Sequence, residues 1–171
     1  MHTPPAAPMP PARPAVPGDA GGITRLRSAL ILSRPLDAHW LTHCTDDLAG
    51  RLLPGGDARA FVVDAPGGGL ASCALALLNR VLPAPRYPRG TAARIQVVAT
   101  DPAFRRRGCA TDALGSLLAR LERDGVTLYE LYAHDGSAPF YARLGFTADP
   151  ALMRRTWFPA DAGAAVSGGG S

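Results

Sequence analysis

The chain has 171 residues and a formal net charge of +4, a length that suits one ordinary domain with tails. Apolar residues make up 47% of it, enough for a folded core, and no uninterrupted apolar stretch is long enough to cross a membrane. All 18 basic residues are arginine, which is typical of a GC-rich bacterial coding bias, so the charge argues only weakly for nucleic acid as a partner.

The first third of the chain predicts a short strand followed by two helices. Residues 12–16 form a proline-containing edge strand, and Asp19 begins a helix that Pro35 ends. Asp37 caps a second helix, which the proline-glycine turn at 54–56 brings to an end.

The middle of the chain predicts three strands. Residues 60–63 and 70–81 are apolar runs joined by a glycine-rich turn at 66–69, which is the pattern of a hairpin. A proline-rich loop at 83–90 follows, and residues 94–100 form the third strand.

The last third predicts a helix, a strand, a short helix and a final strand. The first helix is amphipathic over 110–121 and ends at Gly125. A strand at 126–133 and a short helix at 137–144 follow, with the last strand or strands within 146–158. This order of elements predicts an α/β (α+β) domain.

The domain is expected to span residues 11–160, between a Pro/Ala-rich disordered tail at 1–10 and a flexible tail at 161–171. The N-terminus lacks the cationic start and apolar centre of a secretory signal. Three widely spaced cysteines indicate neither a disulfide framework nor a metal site. We therefore expect a cytoplasmic protein without a metal.

A glycine-containing loop at 105–110 lies between a predicted strand and a helix start. Main-chain N–H groups at a helix start are unpaired and attract anions. Gly108 and Ala110 are small enough for a diphosphate to approach the main chain, and the Thr111 hydroxyl can donate to a phosphate oxygen. From these residues alone, two interpretations stay open: a diphosphate site, or an arginine cluster that solvates a helix start.

Two motifs occur in order and at suitable spacing: Arg105-x-x-Gly108-x-Ala110 and Tyr141-x-x-Leu144-Gly145-Phe146. They resemble the acetyl-CoA-binding motif and the second signature of the GNAT superfamily of acetyl-CoA-dependent N-acetyltransferases. The opening of the chain at 13–20 is also similar to that of the family, and the resemblance covers about residues 12–158.

The resemblance implies a GNAT-like fold, in which about four helices flank a central mixed, mostly antiparallel sheet. The sheet would splay in a V between the strands at 94–100 and 126–133, and acetyl-CoA would enter the V as co-substrate. A main-chain N–H near Val98 would polarise the thioester carbonyl. The residues implied to contact the coenzyme are Val97, Val98, Ala99, Arg105, Arg106, Arg107, Gly108, Cys109, Ala110 and Thr111.

The implied activity is transfer of an acetyl group from acetyl-CoA to a primary amine of a small-molecule acceptor, by direct attack in a ternary complex. Tyr141 would protonate the departing thiolate, a role that suits a phenol with a pKa near 10. An aromatic ring that packs the short helix against the sheet is the alternative interpretation of this residue.

The general base stays open. His134 can accept a proton through water, or it is a surface histidine beside Asp135. His43 and Asp47 share a helix face and either line an acceptor pocket or form a solvated surface. An ordered water chain without a dedicated base is the remaining option.

A non-catalytic acyl-CoA-binding sensor or scaffold is the alternative function. Nucleic acid and membrane are not expected partners, whereas the resemblance allows a homodimer. The acceptor amine is not specified by the sequence.

Overall fold

The computed structural model describes residues 8–151 and 153–155. They fall into two compact units, one that ends at Ala133 and one that begins at His134. Apart from residues 8–10, the tails predicted from the sequence lie outside the described residues. Within the described part of the chain, no helix is both long enough and apolar enough to span a membrane.

The first unit contains a five-stranded sheet in which the strands lie in chain order. The first three pairings are antiparallel and the fourth, between β4 and β5, is parallel, which confirms the mixed, mostly antiparallel sheet. The strands are β1 (Arg13–Pro14), β2 (Ala58–Asp64), β3 (Leu70–Arg80), β4 (Thr91–Thr100) and β5 (Leu128–Leu131).

Four α-helices are found among the described residues, three in the first unit and α4 in the second. Two single turns of 3-10 helix, at Pro17–Asp19 and Pro102–Phe104, precede α1 and α3. The α-helices are α1 (Ala20–Leu30), α2 (Ala38–Arg51), α3 (Cys109–Arg123) and α4 (Ala138–Ala142).

Helices cover both faces of the sheet in the first unit. Ile23 and Leu26 of α1 are buried in one cluster with Val62 of β2 and Val97 of β4. The helix α3 packs on β2, β3 and β4 through its fully buried leucines, such as Leu117. Because side chains alternate along a strand, the residues between those of the first cluster face α3.

The pairing between β4 and β5, where the sequence resemblance implies a splay, is short. Pairing with β5 ends at Ile95 of β4, although β4 runs on to its last residue. On its other edge, Leu75 and Ala76 of β3 pair with Val97 and Ile95, so Gln96 is the extra residue of a β-bulge. The edge of β4 that faces β5 is therefore without a described strand partner beyond Ile95.

The structure confirms one of the two predicted helix caps and not the other. Asp37 caps α2 as expected, because its Oδ1 accepts a hydrogen bond of 2.9 Å from the Trp40 N–H. Asp19 occupies the N-cap position of α1 but accepts nothing from that helix. Its carboxylate accepts instead from the Arg13 guanidinium and from the Val16 N–H.

Three predicted boundaries also differ. The helix α1 ends at Leu30 rather than near Pro35, and the Ser28 hydroxyl, which accepts from the Leu36 N–H at 2.7 Å, stabilises the loop that follows. The strand predicted at 126–133 contracts to β5, because the Val126 N–H donates to the Leu121 oxygen at the end of α3 and pairing with β4 stops at Leu131. Residues 146–151 and 153–155 contain no strand, and the rest of the last predicted strand lies outside the described residues.

Candidate functional site

The connection from β4 to α3 is anchored at Asp101. Its main-chain N–H donates to the Ala71 oxygen at 2.8 Å, which ties the end of β4 to β3. Its Oδ1 accepts from the Ala103 N–H at 3.0 Å and so caps the 3-10 turn. The loop that follows therefore begins from a fixed point.

The loop at residues 105–108 turns sharply into α3. Gly108 has φ +79° and Arg106 has φ +62°, the one positive φ of a non-glycine residue among those described. Hydrogen bonding of the helix starts with the Asp112 N–H, which donates to the Gly108 oxygen at 3.0 Å. In the described structure, the six main-chain N–H groups of residues 106–111 have no hydrogen-bond acceptor.

Unpaired N–H groups at a helix start attract anions, and left-handed residues such as Arg106 and Gly108 help to turn neighbouring amides toward one side. An added Cβ at Gly108 would meet no atom within 4 Å, so the approach to these amides is open. The loop therefore fits the diphosphate of a coenzyme, and main-chain atoms would hold it.

The side chains of the loop divide between solvent and core. Arg105, Arg106, Arg107 and Thr111 are exposed, whereas Cys109 is only 3% exposed. Burial raises the pKa of the Cys109 thiol. This thiol therefore stays protonated and packs beneath the loop, while its main-chain N–H belongs to the six unpaired donors.

The predicted pantetheine strand is the bulged end of β4. Val97 and Ala99 are buried, whereas Val98 is half-buried. Since the Asp101 N–H points to β3, strand alternation directs the Ala99 N–H to β3 and the Val98 N–H to the opposite edge. This edge has no described strand partner, so the Val98 N–H is available to a ligand.

A cavity of about 240 Å³ lies between the α1–α2 layer and the sheet, beside the bulge. Four apolar side chains line it, those of Ile23, Leu48, Leu75 and Leu77. The polar lining consists of Thr24, Arg27, Cys44, Asp47, Arg51 and Gln96. This mixture suits a small ligand with an apolar body and a few polar groups.

The charges in this cavity are unevenly paired. Arg51 donates from Nε to Asp47 and from Nη1 to Asp57, both at 2.7 Å, and these carboxylates raise the pKa of the guanidinium. Arg27 has no ion-pair partner among the described residues. An unpaired cation at the cavity favours a ligand that carries an anionic group.

Most of these cavity residues were not singled out from the sequence, which pointed among them only to Asp47. Their spacing does carry a signal, because residues three or four apart lie on one helix face. Thr24 and Arg27 are so spaced on α1, as are Cys44, Asp47 and Arg51 on α2. This spacing identifies a cavity only when the structure shows that the two faces, one on α1 and one on α2, meet over one strand.

Tyr141, the predicted proton donor, lies on α4 in the second unit. Its ring makes edge contacts with Phe140 and Phe146, with centroids 5.1 and 5.9 Å away. Burial raises the pKa of its hydroxyl, which forms no hydrogen bond with a described residue. The phenol is therefore protonated at neutral pH and free to donate.

The histidines have different surroundings. His134 is exposed at the start of the second unit, where its carbonyl accepts from the Ser137 N–H and hydroxyl at 3.0 and 2.6 Å. His43 packs edge-on against Trp40, with centroids 5.4 Å apart, and does not line the cavity that Asp47 lines. Among the described residues, no three His, Cys, Asp or Glu side chains form a metal-ligand group.

Comparison with known proteins gives a family match. The family model described as "Acetyltransferase (GNAT) family" matches residues 28–146, a range that includes the loop, Tyr141 and the cavity lining from α2 and the sheet, but not that from α1. No curated protein matches the sequence.

Several solved structures share the fold. A GCN5-related N-acetyltransferase from Ralstonia eutropha is 23% identical, with a TM-score of 0.67, over 85% of this chain and 97% of its own. A predicted acetyltransferase with acetyl-CoA from Clostridium acetobutylicum is 17% identical, with a TM-score of 0.73, over 85% and 94%. Glucosamine-6-phosphate N-acetyltransferase from Arabidopsis thaliana is 17% identical, with a TM-score of 0.66, over 86% and 97%. The chain is similar to all three in fold.

Proposed function

Since the chain belongs to the GNAT acetyltransferase family, we propose that it transfers an acetyl group from acetyl-CoA to a primary amine of a small molecule. The observation that carries this proposal is the row of six unpaired N–H groups at residues 106–111, which fits the coenzyme's diphosphate. Acetyl-CoA supplies an activated acetyl thioester whose thiolate is a good leaving group.

The residues proposed to hold acetyl-CoA act mainly through their main chain. The N–H groups of Gly108, Cys109, Ala110 and neighbouring residues receive the diphosphate oxygens, and the exposed arginines 105–107 add positive charge at the rim. The open edge of β4 pairs with the amides of the pantetheine arm as an added strand would. Val97 and Ala99 form the buried side of this strand, and the Val98 N–H faces the thioester carbonyl.

The acceptor is proposed to bind in the cavity beside Gln96. Its volume of about 240 Å³ lies below the range of about 300–1,000 Å³ typical of drug-sized ligands, which favours a small amine. The amine must be neutral when it attacks. We assign its deprotonation to His134 or to a chain of ordered water, and protonation of the leaving thiolate to Tyr141.

The experiment that tests this function measures binding and transfer separately. Isothermal titration with acetyl-CoA reports binding, and thiol release on addition of a panel of small amines reports transfer, after subtraction of thiol released without amine. We expect both, with the acetyl group detected on the amine by mass spectrometry. Binding without amine-dependent thiol release would support the sensor alternative, and absence of binding would exclude both functions.

Three free cysteines are consistent with a cytoplasmic location, which remains part of the proposal.

A further inference from the structure

A second cavity, of about 410 Å³, lies at the opposite end of α3 from the loop at residues 105–108, the proposed coenzyme loop. It is formed by the end of β3, the start of β4 and the last turn of α3. Because α3 has 15 residues, about 22 Å of helix separates the two sites. The proposed acetyl transfer makes no use of this cavity.

The lining of this cavity is strongly basic. Four arginines, Arg59, Arg80, Arg89 and Arg120, line it together with a single carboxylate, that of Asp124. The carboxyl end of α3 adds about half a negative charge. The negative charges therefore offset fewer than half of the four guanidinium charges. Because every basic residue in this chain is arginine, the residue type alone carries little information. The informative observation is that four of these arginines converge on one cavity.

The hydrogen bonds leave much of this charge unpaired. Arg120 Nε lies 3.1 and 3.2 Å from the two Asp124 oxygens. Arg59 Nε lies 3.6 Å from the same carboxylate and makes no hydrogen bond, although the atom is shielded from solvent. Arg80 has no ion-pair partner among the described residues.

Main-chain contacts hold two of these arginines in place. Arg59 Nη1 donates to the Gly56 and Ala58 oxygens, both at 2.8 Å. Arg89 Nη1 donates to the Asp124 main-chain oxygen at 3.1 Å. The Arg89 guanidinium occupies the space beside Gly125 that a Cβ would fill, since such an atom would lie 2.7 Å from it. This part of the site is therefore ordered before any ligand binds.

We propose that this cavity binds a small molecule carrying a phosphate or diphosphate group. Guanidinium groups match phosphate oxygens with two parallel hydrogen bonds, and a group with two negative charges balances the unpaired arginines better than one carboxylate does. The volume lies within the range of about 300–1,000 Å³ for small-molecule sites.

Titration of the ¹⁵N-labelled full chain with inorganic pyrophosphate, followed by amide chemical shifts, tests this site apart from the coenzyme loop. Gly125 and Thr91 report on the basic cavity, whereas Gly108 and Thr111 report on the loop. We expect saturable shifts at Gly125 and Thr91. The variant Arg80→Gln, which removes a side chain without an ion pair, should weaken this binding about tenfold.

The matched control is Arg34→Gln, which removes the same charge from an exposed loop outside the cavity and should bind pyrophosphate like the unmodified chain. Unshifted Gly125 and Thr91 amides at millimolar pyrophosphate would overturn the proposal, as would equal weakening in the two variants. Citrate serves as a polycarboxylate probe, and equal affinity for citrate would overturn the assignment to phosphate. Shifts confined to Gly108 and Thr111 would assign pyrophosphate binding to the coenzyme loop alone.

Discussion

Gly108 combines a left-handed backbone with open space on its Cα. Replacing it by alanine should cost about 1–2 kcal/mol of stability, because φ is +79° while no protein atom lies within 4 Å of the new Cβ. The methyl group would stand among the unpaired N–H groups, so we expect coenzyme A affinity to fall about tenfold or more, as measured by isothermal titration.

The control is Gly115→Ala, in the interior of α3, where an added Cβ also meets nothing. This change should raise the free energy of unfolding by about 1 kcal/mol and leave coenzyme affinity unchanged. Equal coenzyme affinity in both variants would contradict the role given to Gly108.

Substitution of Tyr141 tests its assigned role as proton donor. Tyr141→Phe should lower kcat about 10²–10⁴-fold with little change in acetyl-CoA affinity, because the ring and its contacts with Phe140 and Phe146 are kept. Burial raises the pKa of this hydroxyl, so the unmodified enzyme should lose activity only above the pH at which tyrosine ordinarily titrates.

Tyr129→Phe is the matched control. The Tyr129 hydroxyl donates to the Val126 oxygen at 2.6 Å, so its loss should cost about 1 kcal/mol of stability and leave kcat unchanged. An unaltered kcat in Tyr141→Phe would remove Tyr141 from the mechanism.

At the scale of elements, Arg13 joins β1 to β2 and to the start of α1. Its guanidinium donates four hydrogen bonds to carboxylates, to Asp19 at 2.9 and 3.0 Å and to Asp64 twice at 2.8 Å. These bonds hold the pKa values of both carboxyls below their ordinary range. The two carboxylates therefore stabilise the fold above the unfolded pKa of about 3.9, and this stabilisation is lost as the pH falls through their lowered folded values.

Arg13→Gln should destabilise the protein at pH 7 by about 1–2 kcal/mol, a modest amount because the side chains of Arg13 and Asp64 are 39% and 46% exposed. Urea unfolding from pH 7 down to pH 3 should show this difference shrinking with the pH. Arg34→Gln, an exposed change without an ion pair, should show no such trend. A difference independent of pH would contradict the ionic role of Arg13.

Elements with strong local signals are the ones that the sequence predicts well. The helix α3 follows from its leucine spacing, and its end follows from Gly125, whose φ is +80°. The extent of β5 is different, because it depends on pairing with residues 92–95 of β4. Bulges and strand pairing depend on contacts distant in sequence, which no local pattern contains.

The candidate site likewise has one part that the sequence predicts and another part that it does not. The coenzyme loop is continuous in sequence, so its glycine and its position before a helix were visible as a motif. The two cavities combine residues from separate elements, as Arg27 with Gln96 and Arg59 with Arg89 illustrate. Their convergence is a property of the folded chain.

At the scale of the whole molecule, the two units differ in how much they bury. No described residue of the second unit is buried, whereas Leu114, Leu117 and Leu121 of α3 are fully buried. Regions with few buried contacts open at low free energy. Hydrogen exchange followed by mass spectrometry should therefore show faster exchange in α4 than in α3. Equal protection in the two helices would contradict this expectation.

The donors of the coenzyme loop are atoms that every amino acid except proline possesses. Replacing the side chain at 109, 110 or 111 leaves these donors in place as long as the helix start is kept, and among the six donor residues only Arg106 and Gly108 are restricted by a positive φ. Such a site tolerates extensive sequence drift. A chain that keeps this backbone shape therefore keeps the donors, even where its sequence is only 17–23% identical to that of another chain with the same fold.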